Sequence, residues 1–155
     1  MNPKIYEFVK SDFLEDQYKD QLVKIMQESE QFNYPNTIVN SSFGLNEYEK
    51  LKEYFLSEMA KVIVLLDNNI VASYVWFFIK GNRIHINEIA TKKEYRGNGF
   101  AKVLLNYIEL SSTSDESIDA IELFVLENNS SAINLYSELG FVTEKRLLLK
   151  PIKAL

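Results

Sequence analysis

A glycine-rich turn joined to an amphipathic helix is the part of this sequence best suited to chemistry. The turn is Arg96-Gly97-Asn98-Gly99, and the helix begins with Phe100-Ala101-Lys102. The first N–H groups of a helix have no partner inside it, and the helix dipole adds about half a positive charge there. Glycine accepts backbone angles closed to other residues and lets a ligand approach the main chain. This junction therefore indicates a site where peptide N–H groups hold a phosphate.

The same glycines also suit a plain connector between a strand and a helix, and taken alone they do not decide between the two uses. The pattern is neither G-x-G-x-x-G nor a P-loop, because no Gly-Lys-Ser/Thr follows. The helix itself is predicted from apolar residues that recur at three- and four-residue steps. They are Phe100, Val103, Leu104, Tyr107 and Ile108.

The elements that must position this turn form an alternating series of strands and helices. Alternation and turn residues predict strands at Lys4–Val9, Lys61–Leu66, Ile70–Lys80, Arg83–Thr91 and Ile121–Val125. Helical periodicity and capping residues predict helices at Phe13–Glu28, Asn46–Met59, from Phe100 onward, and at Ala132–Leu139 before Gly140. The expected fold is α/β, with a mixed sheet whose antiparallel strands come first and a strand-helix-strand crossover that carries the glycine turn.

Two motifs in the stretch from Ile84 to Phe141 resemble those of the Gcn5-related N-acetyltransferase (GNAT) superfamily. The first, Arg/Gln-x-x-Gly-x-Gly/Ala, is met by Arg96 to Ala101. The second is met by Asn129, Ala132-Ile133, Leu135-Tyr136 and Gly140-Phe141. The resemblance covers a little over a third of the chain, and the N-terminal third carries no matching motif. It implies the GNAT fold, with helices on both faces of the sheet. A length of 155 residues lies in the usual range of one domain, so we expect a single domain, residues 1–155.

The resemblance also implies acetyl-CoA as co-substrate. The fourth and fifth strands would splay apart, and the main chain of Ile89, Ala90 and Thr91 would hydrogen-bond the pantetheine arm. The pyrophosphate would lie on the N–H groups of residues 97–102, namely Gly97, Asn98, Gly99, Phe100, Ala101 and Lys102. The segment from Phe32 to Leu45 is expected to be an ordered loop, and in the family this region commonly helps to form the acceptor pocket.

Two polar residues of these motifs, Arg96 and Asn129, each suit two different roles. Arg96 is either a cation beside the cofactor phosphates, which its motif position favours, or a solvated turn residue. Asn129 suits a helix N-cap, and the family uses the equivalent Asn to contact the cofactor. Both roles of Asn129 are compatible.

Tyr136 occupies the position that the family uses for a general acid. The departing thiolate resembles that of cysteine, with pKa ~8.5, and a phenol with pKa ~10 beside it can donate a proton. Tyr136 lies four residues after Ala132 and seven after Asn129, so all three share a helix face. The alternative is a packed core aromatic, in a chain with nine tyrosines.

The general base is the other candidate catalytic group. An alkylammonium with pKa near ~10.4 must lose a proton before it attacks a thioester. Glu88 lies near the glycine turn, and simple alternation places it on the side of Ile84, Ile86 and Ala90. It could relay the proton through water, or be a solvated strand-end residue if a bulge shifts its facing. His85, early in the strand, is more readily a structural histidine.

Composition restricts the class of protein. The absence of cysteine excludes a cysteinyl acyl-enzyme, so acyl transfer must go directly to the acceptor. One histidine and no ligand-spaced carboxylates argue against a metal site. The net charge of −5 argues against a nucleic-acid binder and mildly favours a cationic substrate, although solubility explains it equally well. No apolar signal core or membrane span is recognised, so we expect no membrane partner and a cytoplasmic location.

The sequence thus predicts an acetyl-CoA-dependent N-acetyltransferase that acts on a primary amine of a small molecule or peptide. The alternative is a non-catalytic acyl-CoA sensor or interaction module. In some protein N-terminal acetyltransferases a Glu stands five residues before the motif Asn, and Phe124 here weakens a ribosomal-protein acceptor. The segment Phe141–Pro151 suggests either a tight hairpin near Glu144 and Lys145 or a single strand whose open edge recruits a second copy, giving a homodimer.

Overall fold

A five-stranded mixed sheet is the centre of the computed structural model, which describes residues 1–153. Contacts divide the chain into two compact units, Met1–Phe124 and Val125–Leu155. The strands lie in the order β1-β2-β3-β4-β5. They are β1 (Lys4–Glu7), β2 (Lys61–Asp67), β3 (Ile70–Lys80), β4 (Arg83–Thr91) and β5 (Ala120–Leu123). The expectation of one domain over residues 1–155 stays a prediction, and residues 154 and 155 lie outside the described part.

Five α-helices accompany the strands in the described residues. They are α1 (Lys10–Leu14), α2 (Lys19–Asn33), α3 (Phe43–Leu56), α4 (Phe100–Ser112) and α5 (Ser130–Glu138). One turn of 3-10 helix, Lys93–Tyr95, lies between β4 and α4. Strands β1 to β4 pair antiparallel, and β4 pairs with β5 in parallel. The predicted mixed sheet, with its antiparallel strands first, is therefore confirmed.

The predicted helix Phe13–Glu28 is wrong as a single element, because the chain breaks between α1 and α2. Asp16 adopts a left-handed backbone conformation there, with φ of +50°. Its carboxylate accepts hydrogen bonds from the Tyr48 hydroxyl at 2.8 Å and from the Lys52 ammonium at 3.0 Å. The break turns Leu14 out to solvent, although periodicity had placed it on the apolar side.

Apolar side chains cover both faces of the sheet in the first unit. On one face, Val62, Val64, Tyr74 and Trp76 join the core that residues of α1, α2 and α3 complete. The opposite face packs against α4, whose buried residues are Phe100, Leu104, Leu105 and Ile108. Leu105 thus replaces the predicted Val103, which is 42% exposed, because the apolar stripe of α4 is rotated by part of a turn. Helices lie on both faces, as expected.

Strands β4 and β5 pair over only part of β4. The register joins Arg83–Ile86 to Ala120–Leu123, while β4 continues to Thr91. Among the described residues, the side of β4 that faces away from β3 therefore has no strand partner beyond Ile86. Strand β5 also ends two residues earlier than predicted, and Phe124 is largely exposed. This free edge agrees with the splayed pair that the family resemblance implies.

The second unit contains α5 and an irregular C-terminal segment. Neither the hairpin nor the single strand predicted for Phe141–Pro151 is present, because residues 141–153 contain no strand. Three consecutive leucines, residues 147–149, interrupt the alternation that would give a strand one apolar face. All three are exposed.

Candidate active site

The glycine turn has the left-handed backbone that its sequence predicts. Gly97 has φ of +81° and Gly99 has φ of +74°. The Asn98 side-chain amide closes the turn by donating a hydrogen bond to the Tyr95 carbonyl at 2.8 Å. A Cβ at either glycine would meet no atom of the protein within 4 Å. The positive φ angles therefore favour glycine here, and the space in front of the turn is open.

Helix α4 begins directly after this turn with free N–H groups. Its first capping bond joins the Val103 N–H to the Gly99 carbonyl at 3.1 Å. The N–H groups of Phe100, Ala101 and Lys102 precede it and have no partner inside the helix. Gly99 provides no side-chain cap. This helix end can bind an anion through the main chain alone.

Arg96 is exposed but held in place. Its Nε donates a hydrogen bond to the Thr91 carbonyl at 3.2 Å. Its guanidinium lies over the Phe32 ring, 4.8 Å from the ring centroid. These two contacts fix the cation between the end of β4 and the end of α2, beside the glycine turn. Arg96 is thus more than a freely solvated turn residue.

The free edge of β4 presents main-chain groups on the same side as the turn. The Lys92 N–H bonds the Ala72 carbonyl at 2.9 Å, so Lys92 faces β3. Because facing alternates along an antiparallel strand, Ala90 also turns its main chain to β3, while Ile89 and Thr91 turn theirs outward. Ile89 and Thr91 therefore suit an extended ligand arm better than Ala90, whose assignment stays a prediction.

Glu88 does not lie on the side that simple alternation predicts. The β3–β4 register changes from Trp76 opposite Glu88 to Phe77 opposite Ile86, so Asn87 is an extra residue in β4. This bulge places Glu88 on the face of Ala90 and opposite to that of Ile84 and Ile86. Glu88 therefore lies on the side of the sheet that packs against α2 and α3, not on the side that packs against α4.

The surroundings of Glu88 make it a weaker acid than an ordinary glutamic acid. Burial raises the pKa of Glu88 from 4.5 to about 7, the Tyr74 hydroxyl opposes that shift, and the carboxylates of Glu47 and Glu30 add to it. Tyr74 is fully buried. Its hydroxyl lies close enough to the Glu88 carboxylate to favour the ionised form, although no hydrogen bond of normal geometry joins the two groups. Burial, and next the Glu88 carboxylate, raise the pKa of Tyr74. A carboxyl that titrates near neutral pH is suited to accept a proton.

His85 shares this face of β4 but contacts aromatic rings. Its imidazole lies 4.9 Å from the Phe78 ring and 5.5 Å from the Phe124 ring, centroid to centroid. Its Nδ1 is 3.8 Å from a Glu122 carboxylate oxygen on β5. His85 is nearly buried, and these contacts support the structural reading.

The second unit contains the remaining two predicted site residues. The Asn129 side chain caps α5, because its Oδ1 accepts a hydrogen bond from the Ala132 N–H at 3.2 Å. The capping role is thus confirmed, and the cofactor contact stays a prediction. Tyr136 packs 5.6 Å from the Phe141 ring, and burial raises the pKa of its phenol.

A pocket of about 490 Å³ lies on the α3 side of the first unit. Glu88 does not line it, but Asn87, its neighbour in β4, and Trp76, its cross-strand partner, do. Its walls include Tyr54, Met59, Trp76, Phe78, Ile79 and Asn87. The predicted loop region before α3 does not line it. Sequence reasoning missed both this pocket and Tyr74. The alternation of Tyr74, Trp76 and Phe78 along β3 was the available signal, but it reads equally as an ordinary core face.

Two other kinds of site are absent from the described part of the chain. Residues 1–153 contain no cluster of three or more His, Cys, Asp or Glu side chains that could bind a metal ion. None of the helices described there combines the length and the apolar composition needed to cross a bilayer.

Comparison with known proteins gives one family and several similar folds. A model of the Acetyltransferase (GNAT) family matches residues 19–141. The N-terminal acetyltransferase B complex catalytic subunit NAA20 of Arabidopsis thaliana is 33% identical over 64 residues, which is 41% of this chain and 37% of that protein. The match thus spans little more than a third of the relative.

Two solved structures share the fold. The mutant BH1408 protein from Bacillus halodurans superposes with a TM-score of 0.78 and 18% identity, over 97% of this chain and 99% of that one. The PaiA N-acetyltransferase from Thermoplasma acidophilum, solved with coenzyme A, superposes with a TM-score of 0.74 and 19% sequence identity. The superposition covers 93% of this chain and 92% of that one. At these identities the likeness concerns the fold alone.

Proposed function

This chain belongs to the acetyltransferase (GNAT) family, and we propose that it transfers an acetyl group from acetyl-CoA to a primary amine of a small molecule or peptide. The single observation that carries the proposal is the arrangement along β4. The free main-chain edge and Glu88, with its pKa of about 7, lie on this strand, and the left-handed glycine turn follows it after one turn of 3-10 helix. One continuous segment therefore carries both a proton acceptor and an anion site.

The residues present fit acetyl-CoA. The N–H groups at the start of α4 would hold the pyrophosphate, with Gly97 and Gly99 giving the turn its shape and Asn98 closing it. Arg96 would add a positive charge beside it. The outward main chain of Ile89 and Thr91 would hold the extended arm. When bound, acetyl-CoA supplies an acetyl thioester for attack by the amine.

Glu88 is the proposed general base. It would accept a proton from the acceptor ammonium, directly or through water, because a neutral amine is needed for attack. Its pKa of about 7 leaves a useful fraction ionised at neutral pH and still makes it a better base than an exposed carboxylate. The buried Tyr74 hydroxyl faces it and favours the ionised form.

Tyr136 is the proposed general acid. Its phenol Oη would give a proton to the departing thiolate sulfur, since a neutral phenol is a proton donor throughout the physiological pH range. Burial raises its pKa and keeps it protonated. Asn129 would contact the cofactor in addition to capping α5. The chain has no cysteine, so the acetyl group would pass directly to the amine.

Thiol release from acetyl-CoA is the experiment that tests this proposal. The purified protein would be screened with polyamines, arylalkylamines, aminoglycosides, amino acids and N-terminal peptides, and calorimetry would measure binding of coenzyme A. Saturable binding together with amine-dependent release supports the proposal. Saturable binding without release for any amine would support the sensor instead, and no binding by folded protein would reject both. A cytoplasmic location stays a prediction from the sequence.

A further inference from the structure

The pocket beside Glu88 has the size and the walls of a small-molecule site. Its volume of about 490 Å³ falls within the roughly 300–1,000 Å³ typical of ligand pockets. Asn87, on its wall, is the neighbour of Glu88 in β4, and Trp76, also on its wall, pairs with Glu88 across the sheet. The pocket therefore lies next to the strand position that Glu88 occupies.

Aromatic rings form one side of this pocket. The Tyr54 ring lies 6.2 Å from Trp76, and the Trp76 ring lies 6.5 Å from Phe78, centroid to centroid. Met59 and Ile79 continue the apolar surface and are more than half exposed. Apolar side chains left open to water at a concave site favour an apolar ligand, because its binding removes their surface from water.

The charges at the pocket argue against a second positive charge on that ligand. Lys50 and Lys61 both line it, and neither forms an ion pair within 4 Å among the described residues. Glu58, the carboxylate of the lining, is already bound to Lys10 at 3.1 Å. A second ammonium would therefore lose water in an apolar pocket and lie near two lysines.

We propose that this pocket holds an aromatic or large apolar group of the acceptor, so that the protein prefers an arylalkylamine to a diamine or polyamine. This inference rests on the proposed acetyl transfer and names the acceptor class of the same site. The acceptor would contact two regions of the protein, a group of carboxylates and the apolar pocket. The single ammonium group meets the carboxylate side, with Glu88, Glu47 and Glu30, and the apolar group enters the pocket away from them.

Tryptophan fluorescence gives a test that does not depend on turnover. Trp76 is the only tryptophan in the chain and lies in the pocket wall, so light at the red edge of its absorption reports on occupancy. Without acetyl-CoA, 2-phenylethylamine should change this emission saturably, whereas 1,4-diaminobutane should not. Equal responses to the two amines, or no response to either, would overturn the inference.

Matched variants and kinetics complete the experiment. Tyr54→Ala and Ile79→Ala should each raise the dissociation constant of 2-phenylethylamine by roughly tenfold, while Leu110→Ala, an exposed leucine on α4, should not change it. In thiol-release assays, kcat/KM should be roughly tenfold or more higher for 2-phenylethylamine than for 1,4-diaminobutane. The reverse order would reject the inference and leave acetyl transfer standing. No release with any amine would reject the proposed function, and the fluorescence result would still decide whether the pocket binds apolar amines.

Discussion

Glu88 owes its chemistry to two neighbours in sequence and space. The bulge at Asn87 places it on the side of the sheet that packs against α2 and α3, and the buried Tyr74 lies beside it. Burial penalises the charged carboxylate, so its proton is held until the pH approaches 7. The same group can therefore be a base at neutral pH and a neutral acid below it.

The pH dependence of activity follows from this pKa. Glu88 must lose its proton to act as a base, so kcat/KM of the wild type should rise through about pH 7. Glu88→Gln should lower kcat/KM by roughly a hundredfold and remove that rise. Deprotonation of the acceptor amine would still raise kcat/KM at higher pH, and both proteins should share this second rise. An unchanged profile in Glu88→Gln would contradict the assignment.

Stability should change in the opposite direction with pH. The folded pKa of Glu88 is raised above the ordinary 4.5, so the folded state binds the proton more tightly than the unfolded chain. The contribution of Glu88 to the free energy of unfolding is fully present below about pH 4.5 and is lost as the pH rises through about 7. Denaturant unfolding should show Glu88→Gln gaining stability relative to wild type across this interval. A constant difference over the interval would contradict the raised pKa.

Tyr136 gives a second prediction about a single side chain. Tyr136→Phe removes the proposed proton donor and keeps the ring that packs against Phe141. We expect kcat to fall by roughly ten- to a thousandfold with little change in acetyl-CoA affinity. Tyr107→Phe, which removes a surface hydroxyl bonded to Glu7 at 2.6 Å, is the control. An unchanged kcat, with chemistry shown to be rate-limiting, would reject the role.

The sequence predicted single residues unevenly. It placed the glycines correctly, because glycine adopts the positive φ angles of that turn at no steric cost. It also placed Asn129 at a helix cap. It could not predict the side of Glu88, because the bulge depends on which β3 residues pair with β4. Nor could it distinguish Tyr74 from any other core tyrosine, since its proximity to Glu88 depends on how β3 and β4 pair.

Helices α2 and α3 pack closely because of one glycine. A Cβ at Gly44 would overlap the Val23 carbonyl oxygen and lie 3.2 Å from the Gln27 N–H nitrogen. The Gly44 N–H also donates a hydrogen bond to the Gln27 side-chain carbonyl at 2.8 Å. The closeness of these two helices fixes the position of Glu30 and Glu47 relative to the sheet.

Replacing that glycine should separate the helices. Gly44→Ala should lower the free energy of unfolding by about 1–3 kcal/mol, because the backbone of α2 must move to accept the methyl group. Thermal or urea unfolding followed by circular dichroism measures this change. Asn46→Ala, an exposed position of the same helix, is the control and should be close to neutral. A Gly44→Ala protein as stable as wild type would contradict the close contact.

Element prediction succeeded where the chain repeats a simple period. Strands β3 and β4 have the predicted bounds, since long apolar runs between tight turns leave few alternatives. The break between α1 and α2 was missed because Asp16 is held there by Tyr48 and Lys52 of a distant helix. Helical periodicity continues across such a break, so only the tertiary contacts reveal it.

The molecule as a whole presents an unusual group of apolar side chains near its C-terminus. Leu147, Leu148 and Leu149 are each at least 75% exposed, and Ile152 is 90% exposed. Isolated exposed leucines are common, whereas contiguous ones mark interaction surfaces. The homodimer predicted from the sequence therefore stays a reasonable hypothesis, although the strand that suggested it is absent.

Sedimentation velocity at micromolar concentration tests this hypothesis. We expect the wild type to sediment as a dimer and Leu148→Lys to sediment as a monomer, because a charge at the interface loses water on association. Leu110→Lys on α4 is the matched control and should leave the dimer intact. A wild type that is monomeric across this range would contradict the prediction.

The extra residue Asn87 bends β4 without disturbing the alternation of its side chains between the two faces of the sheet. On both sides of Asn87 the side chains continue to alternate as they would in an unbroken strand, since Ile86 and Ile89 share one face while His85 and Glu88 share the other. A chain lacking Asn87 would keep the same alternation of apolar and polar side chains along β4 and the same cross-strand neighbours. It would lose the local bend, one unpaired peptide and the Asn87 side chain at the pocket wall. A one-residue deletion thus offers a straightened strand whose buried side chains keep their places.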